Sequence, residues 1–287
     1  MFHCKYLSSL KEIFSLLKRP IMKRITMPFI LLVALFFSCV GNAPKKEPTA
    51  KREVVTFDTL RAHHRFPLDS VEPNSPALTI NIDLLVPQNI TGERADNFNN
   101  CIVYAAFGYE DMTPREAVDS IVELLKGEYY EYHSAYINEK VAGDSPWFNW
   151  SFDLRSDAYE GRNGAVCYIV NYDIYDGGAH PNNVISAVNI DSESGREITQ
   201  CSVLKDGIEP LLCIRLTERL AQQKGVSTVE QLQELGYLTM NDIYVTSNYL
   251  LQKDSIVFIY NNYEIAPYAL GKSHIGFSYD ELKDILK

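Results

Sequence analysis

The 287 residues are 46% hydrophobic and 22% charged, with only 15 Gly and 13 Pro, a balance that excludes a collagen-like, disordered or multi-span membrane chain. That length supports one large domain or two small ones, with a core that needs no disulfide framework. A formal charge of −10 speaks against nonspecific nucleic-acid binding, because a phosphate backbone needs a basic footprint to release its counterions. A charged macromolecular partner is expected to be basic.

The first informative segment begins at Met22, followed by Lys23 and Arg24, an apolar run over 25–37, and then Ser38-Cys39. A basic start, a short apolar core and a cysteine after a small residue resemble a bacterial lipoprotein signal, in which Cys39 is lipidated and becomes the new N-terminus. The apolar run falls short of the roughly 20 residues that a membrane span requires. Residues 1–38 are therefore expected to be a signal, in which Met22 is the better start and would leave 1–21 untranslated. Its removal takes away six basic residues and one acid, leaving a formal charge of −15. Residues 39–53, rich in Pro, Lys and small side chains, are expected to tether the domain to the membrane. The tether carries no acidic run after Cys39, which favours a periplasm-facing location in the cell envelope.

Beyond the tether, Leu78, Ile80, Ile82, Leu84 and Val86 alternate with mostly polar residues, the period of a half-buried strand. Helical spacing follows from a candidate cap at Thr91 to about Phe107. A second helix opens on the capping box Thr113-Pro114-Arg115-Glu116, with proline at its first position. His63-His64 falls in what is expected to be a flexible entry segment. After Gly143, alternation returns at Phe148, Trp150, Phe152 and Leu154, and again from Val166 to Ile174 beyond the turn residues 160–164. Further strands are expected at 184–190, 243–251, 255–260 and 274–277. Helices are expected at 208–224, at 227–235 behind a Ser227-Thr228-Val229-Glu230 capping box, and after Ser278-Tyr279-Asp280-Glu281. No regular βαβ period runs through the chain, so the expected fold is α+β, a mostly antiparallel sheet packed with helices. Two subdomains are expected, 54–145 and 146–287.

The local sequence with the strongest backbone demands is Asp176-Gly177-Gly178-Ala179-His180-Pro181. Its glycines permit positive φ, with Gly178 the position expected to need it, and Pro181 pushes His180 into an extended conformation. His180 is then either a ligand contact or base beside Asp173 or Asp176, or a bulge residue that bonds local backbone. The segment 172–181, together with 258–271 and its Tyr263-Glu264-Ile265-Ala266-Pro267-Tyr268-Ala269 run, resembles a bacterial envelope domain family of unknown function. That domain is shared by lysozyme-sensing anti-sigma factors and the noncatalytic region of a peptidoglycan deacetylase. The resemblance implies an extracytoplasmic binding or sensing module, with Asp176, Gly177, Gly178, His180, Pro181, Tyr263, Glu264, Pro267 and Tyr268 as the candidate binding or structural motif. It brings no catalytic residues with it. Partners implied are the membrane, through lipid at Cys39, and a basic lysozyme-like protein or a peptidoglycan fragment. A sigma-binding region and a deacetylase domain do not accompany the motifs.

Other chemistries carry less signal. The histidines are scattered, with no His-Glu-x-x-His and no Cys-x-x-Cys, so neither a metal site nor a cofactor is expected. Cys101, Cys167, Cys201 and Cys213 fit buried thiols or disulfide partners, with three pairings open. Trp147, Trp150, Tyr129, Tyr130, Tyr132 and Tyr136 serve either as packing surfaces or for stacking on sugars. The alternative to a binding module is a cell-wall glycan hydrolase using Asp176, His180 and Glu264, if the two motifs meet in space.

Overall fold

The computed structural model describes residues 53–131 and 146–287; the signal, Cys39, most of the tether, Tyr132, His133 and Tyr136 lie outside them. Five strands, β1 (Phe57–Pro67), β2 (Ala77–Pro87), β3 (Trp150–Glu160), β4 (Ala165–Tyr175) and β5 (Asn182–Asp191), hydrogen-bond side by side in that order. Only β2 with β3 is a parallel pair. A parallel neighbour needs a long crossover, and α1 (Glu93–Phe107) and α2 (Pro114–Glu131) lie within it.

The alternation in β2 has its expected cause: Leu78, Ile80, Ile82 and Leu84 are buried beneath the two helices, while Thr79, Asn81 and Asp83 face away. Phe98, Ile102 and Val103 of α1 and Ala117, Val118, Ile121, Val122 and Leu125 of α2 complete that core. The α2 start carries its capping box, with Glu116 N–H donating to Thr113 Oγ1 (3.3 Å) and Thr113 N–H to Glu116 Oε2 (2.9 Å). The first helix is capped by Gly92 at φ 63° rather than by Thr91.

A second core forms from α3 (Gln200–Val203), α4 (Glu209–Lys224), α5 (Val229–Glu234), an antiparallel sheet of β6 (Tyr249–Leu251), β7 (Ser255–Tyr260) and β8 (Ser273–Ser278), and α6 (Tyr279–Leu282). The fold is thus α+β, a mostly antiparallel sheet packed with helices. Three local expectations are corrected. His63 and His64 sit in the middle of β1, fully paired to β2 in register. Only Tyr249–Leu251 of the expected 243–251 strand is a strand, since Asn248 turns its side chain onto β5 instead. The α5 capping box is Thr228 with Gln231, one residue later than Ser227 with Glu230.

The two cores meet across the sheet face opposite α1 and α2. There Cys167 and Ile169 of β4 and Ile185 and Ala187 of β5 pack against Leu250, Val257 and Ile259. Asparagines complete the joint. Asn261 Oδ1 accepts from Ile185 N–H (2.8 Å), Asn248 Oδ1 from Ala187 N–H (2.8 Å) and Asn189 Oδ1 from Leu251 N–H (2.7 Å). A side-chain amide carries the same donor and acceptor as a peptide unit, so these residues stand in for a neighbouring strand along edges that are otherwise unpaired.

Candidate functional site

The turn between β4 and β5 and the turn after β7 are far apart in sequence and meet in space. In the first, Gly177 adopts φ 84°, and a Cβ there would lie 2.4 Å from the carbonyl oxygen of Trp147. The close approach of the 147 backbone thus excludes any side chain at that position. Gly178 is not in the positive-φ region, and a Cβ on it would meet nothing closer than 3.6 Å. The expected glycine requirement belongs to Gly177.

His180, at the end of this turn, is exposed. Its Nδ1 lies 3.0 Å from Pro181 O, so the proton on Nδ1 donates to that carbonyl when the ring is neutral, leaving Nε2 to accept. Tyr263 supplies the donor for Nε2, its hydroxyl 3.4 Å away. The imidazole stacks on Tyr268 with ring centres 3.8 Å apart and planes 22° from parallel. Tyr268 donates its hydroxyl to Pro181 O at 2.9 Å. Tyr263 in turn lies 5.9 Å from Tyr268, ring centre to ring centre.

The second turn is locked from beneath. Ile265 and Ala266 are buried, Leu238 N–H donates to Ile265 O (2.8 Å), and Tyr263 N–H donates to Ala266 O (3.0 Å). Pro267 caps a single 3-10 turn over Tyr268–Leu270. This scaffold holds Tyr263 at φ 68° with 44% of its surface exposed. A bulky residue in the left-handed region costs free energy, which the anchored turn must offset. The result is a tyrosine fixed outward, beside a stacked His-Tyr pair.

The candidate carboxylates are placed differently. Glu264 Oε2 accepts from Asn261 N–H (3.1 Å), and the Tyr244 hydroxyl bonds the same side chain, where burial and then the carboxylate's charge push the phenol's pKa up. Glu264 is thus part of the turn's own bonding. Asp176 is exposed on the opposite turn. Trp150 and Tyr129 pack against each other in the core, while Trp147 is exposed next to Gly177. All four cysteines of the described residues are free thiols. Burial pushes the thiols of Cys101 and Cys167 up to about 12, which keeps them protonated and poorly nucleophilic. Among the described residues, no three His, Cys, Asp or Glu side chains gather around a common point. No helix among them is long and apolar enough to cross a membrane.

The sequence motifs identified the two segments; the Tyr263–His180 and Tyr268–Pro181 contacts between them required the fold. Tyr244 and Asn261, which hold Glu264, were missed. Asn261 lay within the 258–271 segment and Tyr244 within the expected 243–251 strand, but nothing in the sequence singled out either side chain.

Residues 202–280 match a protein family of unknown function, DUF3298. The match includes Tyr263, Glu264, Pro267 and Tyr268 and leaves out the 176–181 turn. A crystal structure of a DUF3298 family member from Bacteroides fragilis is 26% identical, with a TM-score of 0.74 over 83% of this chain and 96% of that one. A DUF3298 family protein from Pseudomonas aeruginosa shares the fold at 16% identity, with a TM-score of 0.59 over 82% of this chain and 96% of that one. Among curated proteins the chain finds no match. The C-terminal core thus carries the DUF3298 match, and the whole two-core arrangement is shared with proteins of that name.

Proposed function

We propose that this chain is an envelope binding module, tethered by lipid at Cys39 on the periplasm-facing side of a membrane, that captures a basic protein on the His180–Tyr263–Tyr268 surface without chemical turnover. The observation that carries this reading is Tyr263, held outward in a left-handed conformation by an anchored turn and joined to the His180–Tyr268 stack. Strain retained at an exposed aromatic side chain marks a functional surface. Tyrosine is also the residue type that interfaces favour, because it offers large, rigid, amphipathic contact at small entropic cost. Supporting the basic partner are the charge of −15 left after the signal and the resemblance to lysozyme-sensing proteins.

Lysozyme serves as the basic probe, titrated onto the full chain in detergent at low and at physiological salt. Binding should weaken as salt rises, since the attraction between the opposite charges is screened beyond about 8 Å at physiological ionic strength. Tyr263→Ala and Tyr268→Ala should weaken it at both. Absence of binding at either salt removes the lysozyme-type partner; binding of a peptidoglycan fragment that the same substitutions abolish assigns the surface to a glycan instead. For the anchor, metabolic labelling with a palmitate analogue should mark the native chain and spare Cys39→Ala; equal labelling of the two rejects lipidation at Cys39.

A further inference from the structure

Among the described residues, side chains engage some of the outward backbone groups along three of the four sheet edges. Along β5, Asn248 and Asn261 bond Ile185 and Ala187. Along β6, Asn189 bonds Tyr249 O and Leu251 N–H. Along β8, Gln223 and Arg219 donate to His274 O and Gly276 O. The fourth edge, β1, is treated differently.

Its outward positions follow from the register. Gln88 N–H donates to Thr56 O and Leu68 N–H to Pro76 O, and these bonds bracket the ladder at both ends. Hydrogen-bonded pairs alternate along an antiparallel ladder, so the even-numbered residues of β1 bond β2 and Thr59, Arg61, His63 and Arg65 direct their backbone groups away from the sheet. Among the described residues only Thr59 N–H is engaged, by Asp58 Oδ1 at 2.7 Å. No described residue bonds the backbone groups of Arg61, His63 and Arg65, and the three residues are exposed. A strand of 11 residues with an open row of donors and acceptors is a template for another strand.

The side chains specify what fits. Arg61, His63, His64 and Arg65 lie together on β1, with Asp58 its sole acid, in a chain whose net charge is −10. Arg61 Nε and His63 Nε2 both approach Asp83 Oδ1 (3.5 and 3.3 Å), and the two side chains remain more than half exposed. Arg61, His63 and Arg65 project on the sheet face away from the helices, and Leu60 and Phe66 project on the other. A second copy is a poor occupant, because antiparallel pairing of β1 with itself about residue 61, 62 or 63 sets Arg61 against Arg61, His63 or Arg65, donor against donor with no acid opposite. We propose that β1 docks an extended segment of another protein as a sixth strand, with acidic side chains at alternate positions against Arg61, His63 and Arg65 and apolar ones between them. This surface is on the sheet edge opposite β5, and the proposal stands apart from the one for His180, Tyr263 and Tyr268.

The test uses the full chain in detergent and a labelled nine-residue peptide alternating Glu and Val, read by fluorescence anisotropy. Native protein should bind it, and Arg61→Glu with Arg65→Glu should abolish binding. His63→Pro is the specific variant, since it removes an outward N–H without touching the bonds to β2; it should weaken binding at least about tenfold. Should His63→Pro fail to fold, judged by circular dichroism, a peptide N-methylated on alternate amides gives the same reading against native protein. Equal binding of a Lys-Val peptide, or full affinity for His63→Pro or for the N-methylated peptide, overturns the proposal. So does dimerisation of the native chain that His63→Pro abolishes, or binding to anionic vesicles that it leaves intact with no binding of the peptide. Loss of lysozyme binding in Tyr263→Ala has no bearing on it.

Discussion

Gly177 shows how one backbone angle sets the position of a binding turn. With φ at 84° and the Trp147 carbonyl 2.4 Å from where a Cβ would stand, Gly177→Ala must move either the turn or the 147 backbone. A displaced strained turn costs on the order of 1 to 3 kcal/mol, so urea unfolding should show Gly177→Ala destabilised by that much. Gly178→Ala, whose Cβ would make only ordinary van der Waals contacts, should stay within about 0.5 kcal/mol of native. Equal losses for the two would mean that the close approach of Trp147 is not what holds the turn. The sequence marked both glycines and pointed to Gly178 rather than Gly177, because the neighbour that excludes a side chain at Gly177 comes from a segment 30 residues earlier, with two strands between. His180 has the same limit: an extended conformation was expected from Pro181, whereas its stacking on Tyr268 depends on how two cores meet.

At the scale of elements, α6 is held to α4 by charge as well as by its apolar face. Arg215 makes two bonds to Asp284 (2.9 and 2.7 Å), and Arg219 pairs with Glu281, which also closes the capping box with Ser278. Hydrogen bonds from Ser278, then Arg219, hold the Glu281 carboxyl below its usual 4.5, and Arg215 holds Asp284 below 3.8. A depressed carboxylate stabilises the fold fully above its unfolded pKa and loses that contribution as pH falls through the folded value. Melting temperature should therefore decline below about pH 4.5, and in Arg215→Gln with Arg219→Gln it should start lower at pH 7 and decline less steeply in acid. An unchanged acid limb in the double variant would place the sensitivity elsewhere. The elements legible in sequence were those with one wet and one dry face, such as β2, α2 and α4. The first strand escaped because Asp58, Arg61, His63, His64 and Arg65 are exposed on both of its faces, so burial imposes no alternation on an edge strand. Conversely, β4 begins Ala165-Val166-Cys167-Tyr168 with all four buried, the continuous apolar run of a strand covered on both sides. That run was the available sign that a second core lay across the sheet.

Across the whole molecule, the coupling of the two cores rests on a small polar joint within an apolar seam. Asn189 is 1% exposed and spans it, donating to Tyr249 O at 2.8 Å and accepting from Leu251 N–H at 2.7 Å. Those two backbone groups sit on β6, whose opposite side is paired to β7, so no other strand can satisfy them. Asn189→Ala leaves a buried donor and a buried acceptor unpaired, each costing about 1 to 3 kcal/mol, and removes the one side chain that bonds β6 from β5. The seam around Cys167, Ile169, Leu250 and Ile259 remains apolar but loses its register. Calorimetry of the native chain should give one transition with equal calorimetric and van't Hoff enthalpies, whereas Asn189→Ala should melt earlier and split into two transitions, one for each core. Because the Tyr263 turn belongs to the second core and the His180 turn to the first, the same substitution should also weaken binding at their junction while leaving both turns chemically intact. A single, merely shifted transition with unchanged binding would show that apolar packing alone fixes the two cores relative to each other.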